Sequence, residues 1–87
     1  MNFLGQTFFQ DRYAVAFIEQ TASDPVTNEI EWIIHFAFSK RGVVKQAAYQ
    51  YYKYEETARR AAQVFLDTGN IEKAKAVKPL EDEMPQF

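Results

Sequence analysis

"EIEWIIHFAFSK", residues 29–40, alternates. Ile30, Trp32, Ile34, Phe36 and Phe38 take every second position, and Glu29, Glu31, Ile33, His35, Ala37 and Ser39 take the others. Successive side chains on a strand point to opposite faces, so this segment reads as a strand with one strongly apolar face.

Its neighbours follow from it. On the N-terminal side, "RYAVAFIEQ" (12–20) sets Tyr13, Val15 and Phe17 on one face and Ala14, Ala16 and Ile18 on the other. "SDPVTN" (23–28) between them is turn chemistry, Asp before Pro and then Asn, so the two strands should pair as an antiparallel hairpin with a longer loop. On the C-terminal side "SKRG" (39–42) is the next turn, with Gly42 able to take positive φ. "VVKQAAYQYYKY" (43–54) is then a third strand of β-branched and aromatic residues. One register groups Val44, Ala48, Tyr52 and Tyr54; the other groups Val43, Ala47, Tyr49 and Tyr51; a one-residue bulge switches between them. No element is assigned before Arg12. "MNFLGQTFFQDRY" has no basic n-region and no apolar run long enough for a signal peptide.

The periodicity changes at "YEETARRAAQVFLDTG" (54–69). Ala58, Ala61, Ala62 and Phe65 form one stripe at helical spacing, with Leu66 on its edge and Arg59, Arg60, Gln63 and Asp67 opposite. Glu55 and Glu56 suit the positive end of the helix dipole and Gly69 ends the helix. Asn70 caps a second, shorter helix, "IEKAKAV", which stops before Pro79. The expected fold is α+β: a three-stranded antiparallel sheet packed by one main helix, followed by a short C-terminal helix. Residues 1–80 form a single domain, and 81–87 an acidic, proline-punctuated tail.

Composition narrows the function. Eighty-seven residues make one domain with a modest core, and 47% apolar and 16% aromatic residues suffice to build it. The absence of cysteine excludes disulfides, thiolate zinc sites and a cysteine nucleophile, and fits a cytoplasmic protein. No stretch approaches the length of a membrane span. The net charge of −2 is unevenly spread. Residues 40–60 carry Lys40, Arg41, Lys45, Lys53, Arg59 and Arg60 against Glu55 and Glu56, a basic island between two acidic stretches.

Catalytic constellations are missing. The single histidine, His35, has Glu31 and Ser39 four residues away on its own strand face, roughly 13 Å at about 3.3 Å per residue. That is too far for a shared metal or a Ser–His hydrogen bond, so His35 reads as a half-exposed sheet residue. Gly5, Gly42 and Gly69 are too scattered for a phosphate-cradling loop. Glu55–Glu56 reads as helix N-terminal charge and Glu81–Asp82–Glu83 as a solvated tail, not as carboxylates held across a cleft. No enzymatic activity, metal or cofactor is expected.

"AYQYYKYEE" (48–56) holds four of the five tyrosines. Tyr52 is placed to pack under the helix, and Tyr54 to staple its start. Tyr49 and Tyr51 then point outward, joining Ile33, Ala37 and Ile18 on the face the helix leaves open. Exposed tyrosine among small apolar residues, near Lys45 and Lys53, has the composition of a binding surface. The candidate partner-binding residues are therefore Ile33, His35, Lys40, Arg41, Lys45, Tyr49, Tyr51 and Lys53.

Two resemblances bear on the partner. "YKYEETARRAAQVF" (52–65), an aromatic residue, a short turn, Glu-Glu-x-Ala and an alanine-rich helix, resembles the ending of WGR-type and integrase arm-type DNA-binding domains over residues 43–66. Tyr54 replaces their usual cap, and Trp32 is followed by Ile33 and Ile34 rather than Gly-Arg. That resemblance implies DNA binding, and interleaved aromatic and basic residues on a sheet have the composition of a base-stacking platform. The whole chain is similar in style to small phage or mobile-element proteins, anti-CRISPR inhibitors included: single acidic domains without catalytic residues. This implies a protein that occupies a surface of a larger macromolecule, as a phage-type inhibitor of a host defence or nucleic-acid machine does. A protein partner is expected, with a nucleic acid or a second copy of the chain as the alternatives and no membrane.

Overall fold

The alternating segment is an interior strand of a sheet with four members. The computed structural model describes residues 1–79, and the expected acidic tail, 81–87, lies outside the described residues. Its elements are β1 (Asn2–Phe9), β2 (Arg12–Gln20), β3 (Trp32–Lys40), β4 (Val43–Tyr52), α1 (Glu55–Thr68) and α2 (Ile71–Lys75). The strands form one antiparallel sheet in the order β1-β2-β3-β4. The α+β class stands; the expected three strands are four, because β1 was not foreseen.

The reason lies in β1 itself. Its register shifts between Phe3 and Gly5, and the bulge breaks the alternation that marks a strand. A Cβ on Gly5 would come within 3.2 Å of Leu66 Cδ1, so the helix presses on this bare backbone. Phe8 and Phe9 then go to opposite faces. Phe8 stacks beside Tyr13 (centroids 5.1 Å apart), while Phe9 packs on the helix side. The turn to β2 is only Gln10–Asp11, with Gln10 at φ 56°, and carries no glycine or proline to announce it.

The other connections follow their turn chemistry. Asp24 Oδ1 accepts from the backbone N–H of Val26 (2.7 Å) and Thr27 (3.2 Å), and Asn28 takes φ 60°. The β3–β4 hairpin turns on Arg41 (φ 54°) and Gly42 (φ 79°) between the paired residues Lys40 and Val43. Within β4, Ala48 pairs with Phe36 and Gln46 with Ala37, so Ala47 is the extra residue of a bulge. Ile30 precedes β3 and is half-buried.

One face of the sheet meets the helices. Ala14, Ala16 and Ile18 of β2, Ile34 and Phe36 of β3, and Tyr52 of β4 pack against Ala58, Ala61, Ala62, Phe65 and Leu66 of α1. Alanines on both sides let the helix approach closely. Phe65 fills the remaining depth, edge-on to Phe36 (5.0 Å, 68°) and to Phe38 (5.5 Å, 66°). Helix α1 starts from Tyr54, an extended residue whose side chain makes no capping hydrogen bond, and Glu55 pairs with Arg59 at 2.8 Å. It ends at Gly69 (φ 66°), whose N–H donates to Phe65 O. A Cβ there would sit 3.2 Å from the Phe9 ring, so this position demands glycine for conformation and for space. Asn70 caps α2 by accepting from Lys73 N–H at 3.0 Å, and Ala74 is buried in the core cluster.

Phe65→Ala removes the ring that both β3 phenylalanines face. The expected cost is about 3–5 kcal/mol, against a total of roughly 4–13 kcal/mol for a chain of this size. Urea unfolding followed by circular dichroism should show the midpoint falling by at least about a quarter. Tyr52 provides a second test. Its hydroxyl is buried without a hydrogen-bond partner, and burial pushes the phenol up to about 12. The folded value is raised above an unfolded value near 10, so the contribution is intact below about pH 10 and is lost as pH climbs toward 12. Tyr52→Phe should be at least as stable at pH 7 and should lose less stability between pH 9 and 11, read from urea midpoints at each pH.

Candidate functional site

Among the described residues, the helices cover one face of the sheet and leave the other open. Its strand positions follow from the pairing: Phe3, Gln6 and Phe8 on β1; Tyr13, Val15, Phe17 and Glu19 on β2; Ile33, His35, Ala37 and Ser39 on β3; Val44, Gln46, Tyr49 and Tyr51 on β4. Phe3, Phe8, Tyr49 and Tyr51 each keep 54–58% of their surface exposed. The rings meet in three groups: Phe3 with Phe17 at 5.7 Å, Phe8 with Tyr13, and His35 with Tyr49 at 6.4 Å and Tyr49 with Tyr51 at 5.9 Å. Between the aromatic edges lie Val15 and Ala37, 3% and 2% exposed, shielded by their larger neighbours. Exposed aromatic surface of this extent has the character of a docking face.

A polar cluster crosses the middle of this face. His35 Nδ1 is 2.8 Å from Gln46 Oε1, and His35 Nε2 is 3.0 Å from Glu19 Oε1. Both ring nitrogens thus face oxygen acceptors. An imidazolium satisfies both by donating; a neutral ring donates to one and needs the Gln46 amide turned over for the other. The partners come from β2 and β4, across the strands, where spacing along β3 could not locate them. One carboxylate and one imidazole do not make a metal site, and no group of three or more metal-ligating residues occurs among the described residues. Nor is any helix among them long and apolar enough to cross a membrane.

The candidate residues divide into three places. Ile33, His35, Tyr49 and Tyr51 meet on the open face, as the alternation implies. Ile18 does not join them; it is buried under α1, because the face of β2 that carries Ala14 and Ala16 is the one the helix selects. Lys45 also leaves the tyrosines: the Ala47 bulge puts it opposite Phe38, on the helix side. There, at the β3–β4 tip, Arg12, Lys40, Arg41 and Lys45 line an open depression of about 570 Å³. The Arg12 guanidinium lies 3.8 Å from the Phe38 ring centroid. Lys40 donates to Asp11 at 2.8 Å, and this bond holds the Asp11 carboxyl below its usual range. Lys53 sits beyond the other end of β4, its ammonium 5.9 Å from the Tyr54 ring. The basic island is therefore split, and none of its cations is interleaved with Tyr49 and Tyr51.

Phe3, Phe8, Tyr13, Phe17, Glu19 and Gln46 belong to the face and were not foreseen. Tyr13 and Phe17 share a face in the sequence pattern, but the pattern does not say which face stays open. No family model matches the sequence, and neither the curated proteins nor the solved structures yield a match.

Adjacent isoleucines test the assignment of faces. Ile34 is fully buried, whereas Ile33 lies on the open face directly across from Glu19. Ile34→Lys forces an ammonium under α1 and should abolish the cooperative melt. Ile33→Lys places the same charge beside a carboxylate and should stay folded, with a melting temperature within a few degrees of wild type by circular dichroism.

Proposed function

We propose that this chain is a non-enzymatic binding protein whose working surface is the open face of the sheet. The observation that carries the reading is the set of exposed aromatic rings on a face that no element among the described residues covers. Apolar exposure on this scale opposes solubility unless a partner removes it from water. Exposed Tyr and Phe supply large contact area at low conformational cost, and the tyrosine hydroxyls remain satisfied at a wet rim. The partner surface this face fits is apolar and nearly uncharged, hence protein rather than polyphosphate. In acting by occupying a surface of a larger macromolecule, the chain would work in the manner of the small phage-type inhibitors that it resembles in size.

The second reading is a nucleic-acid-binding module. It draws support from the meeting of Arg12, Lys40, Arg41 and Lys45 around Phe38, although these cations lie on the opposite side of the sheet from the tyrosines. One experiment separates the two. The immobilised wild type, a Tyr49→Ser/Tyr51→Ser variant and a Lys40→Glu/Arg41→Glu/Lys45→Glu variant are exposed to lysate of the native host, and captured proteins are identified by mass spectrometry. Loss of capture in the tyrosine variant alone is the expected result. If instead only the charge-reversed variant loses its catch, and a mobility-shift assay at low salt shows nucleic acid bound by the wild type, the second reading replaces the first.

A further inference from the structure

We propose that a second copy of this chain closes the open face, the two sheets stacking about 10 Å apart. The inference rests on the reading of that face as a binding surface and names its occupant. Three observations point to self-association.

The first is charge. A face that meets its own copy about a two-fold axis meets its own charges, so an excess of either sign repels. Within the strands, the only ionisable acid and base on this face are Glu19 and His35, and they contact each other. Among the described residues the remaining charge lies elsewhere, at the hairpin tips, on and beside the helices and in the loop before β3. Apart from that contacting pair, the strand positions of this face bring no charge against their own copies.

The second is area. Four strands about 4.8 Å apart and about nine residues long at 3.3 Å per residue give a face of roughly 550–600 Å² before the relief of the side chains is counted. Specific dimers bury about 600–1,000 Å² per partner, so the flat footprint falls at the bottom edge of that range and the side-chain relief adds the remainder. The expected affinity is modest, with a dissociation constant on the order of 10 μM. The relief suits self-docking as well, since the tyrosine edge of one sheet can seat over the low ground of Val15 and Ala37 in the other.

The third is what the edges refuse. Both outer strands are free to pair with another chain, yet each is bulged, β1 between Phe3 and Gly5 and β4 at Ala47, and β4 also carries Lys45. Bulges and lysines blunt edge-to-edge pairing. Association is thereby turned from the edges to the face.

The test is the mass of the full chain by sedimentation velocity and light scattering over a concentration series spanning about two decades around 10 μM. The wild type should pass from 10.1 kDa to twice that mass, and high salt should leave the transition in place or favour the dimer. Tyr49→Glu, with an unchanged circular dichroism spectrum, should remain at 10.1 kDa at every concentration, whereas Lys40→Glu should still dimerise. A wild type that stays monomeric, or a dimer that survives Tyr49→Glu and Tyr51→Glu together, overturns the proposal. If the wild type is monomeric while the tyrosine variant of the preceding section loses its captured protein, the occupant is a different protein and the binding-face reading survives. If it is monomeric and the tyrosine variant captures as wild type does, both readings fall together.

Discussion

Phe65 is where the two halves of the fold meet. Its ring stands edge-on to Phe36 and Phe38, two residues apart on one face of β3, and so fixes how far along that strand the helix sits. With alanine at 58, 61 and 62 of α1 and at 14 and 16 of β2, this ring is the main obstacle that sets the depth and direction of the crossing. The C-terminal end of α1 is placed by the same contact, which carries Gly69 against Phe9 and Leu66 against Gly5. The edge strand β1 is thus held by its ladder to β2 and by the end of a helix positioned two strands away.

A sheet has two faces and this chain has one long helix. Fourteen residues of α1 and five of α2 cover a single side, and the described residues hold nothing to cover the other. The cost is visible in the side chains that remain exposed. Phenylalanine and tyrosine outnumber polar residues where an unpartnered antiparallel sheet would show alternation to polar outward positions. The His35, Glu19 and Gln46 cluster gathers the polar side chains of the middle of this face into contact with one another. The cations that a nucleic acid would seek are displaced to the opposite side by one inserted residue, Ala47.

The alternation from Trp32 to Phe38, the spacing of Ala58, Ala61, Ala62 and Phe65, and the stop at Gly69 were legible because they depend on backbone period and local conformation, which neighbours in sequence specify. From them came the class of fold, the inward Tyr52 and the outward Ile33, Tyr49 and Tyr51. What local pattern could not supply was anything requiring a partner strand. β1 is a strand because β2 offers it a ladder and α1 presses on Gly5; its own bulged sequence has no period to read. Ile18 was expected on the open face, yet it lies in the core because the helix packs on the face of Ala14 and Ala16, which allows the closer approach. Lys45 and Tyr49 parted company at a bulge whose position the ladder sets. The neighbours of His35 arrive from strands eleven and sixteen residues away in sequence, and only pairing brings them within 3.0 Å. Periodicity is a property of a segment, whereas register and the choice of buried face are properties of the packed chain, where long-range burial decides between locally equivalent alternatives.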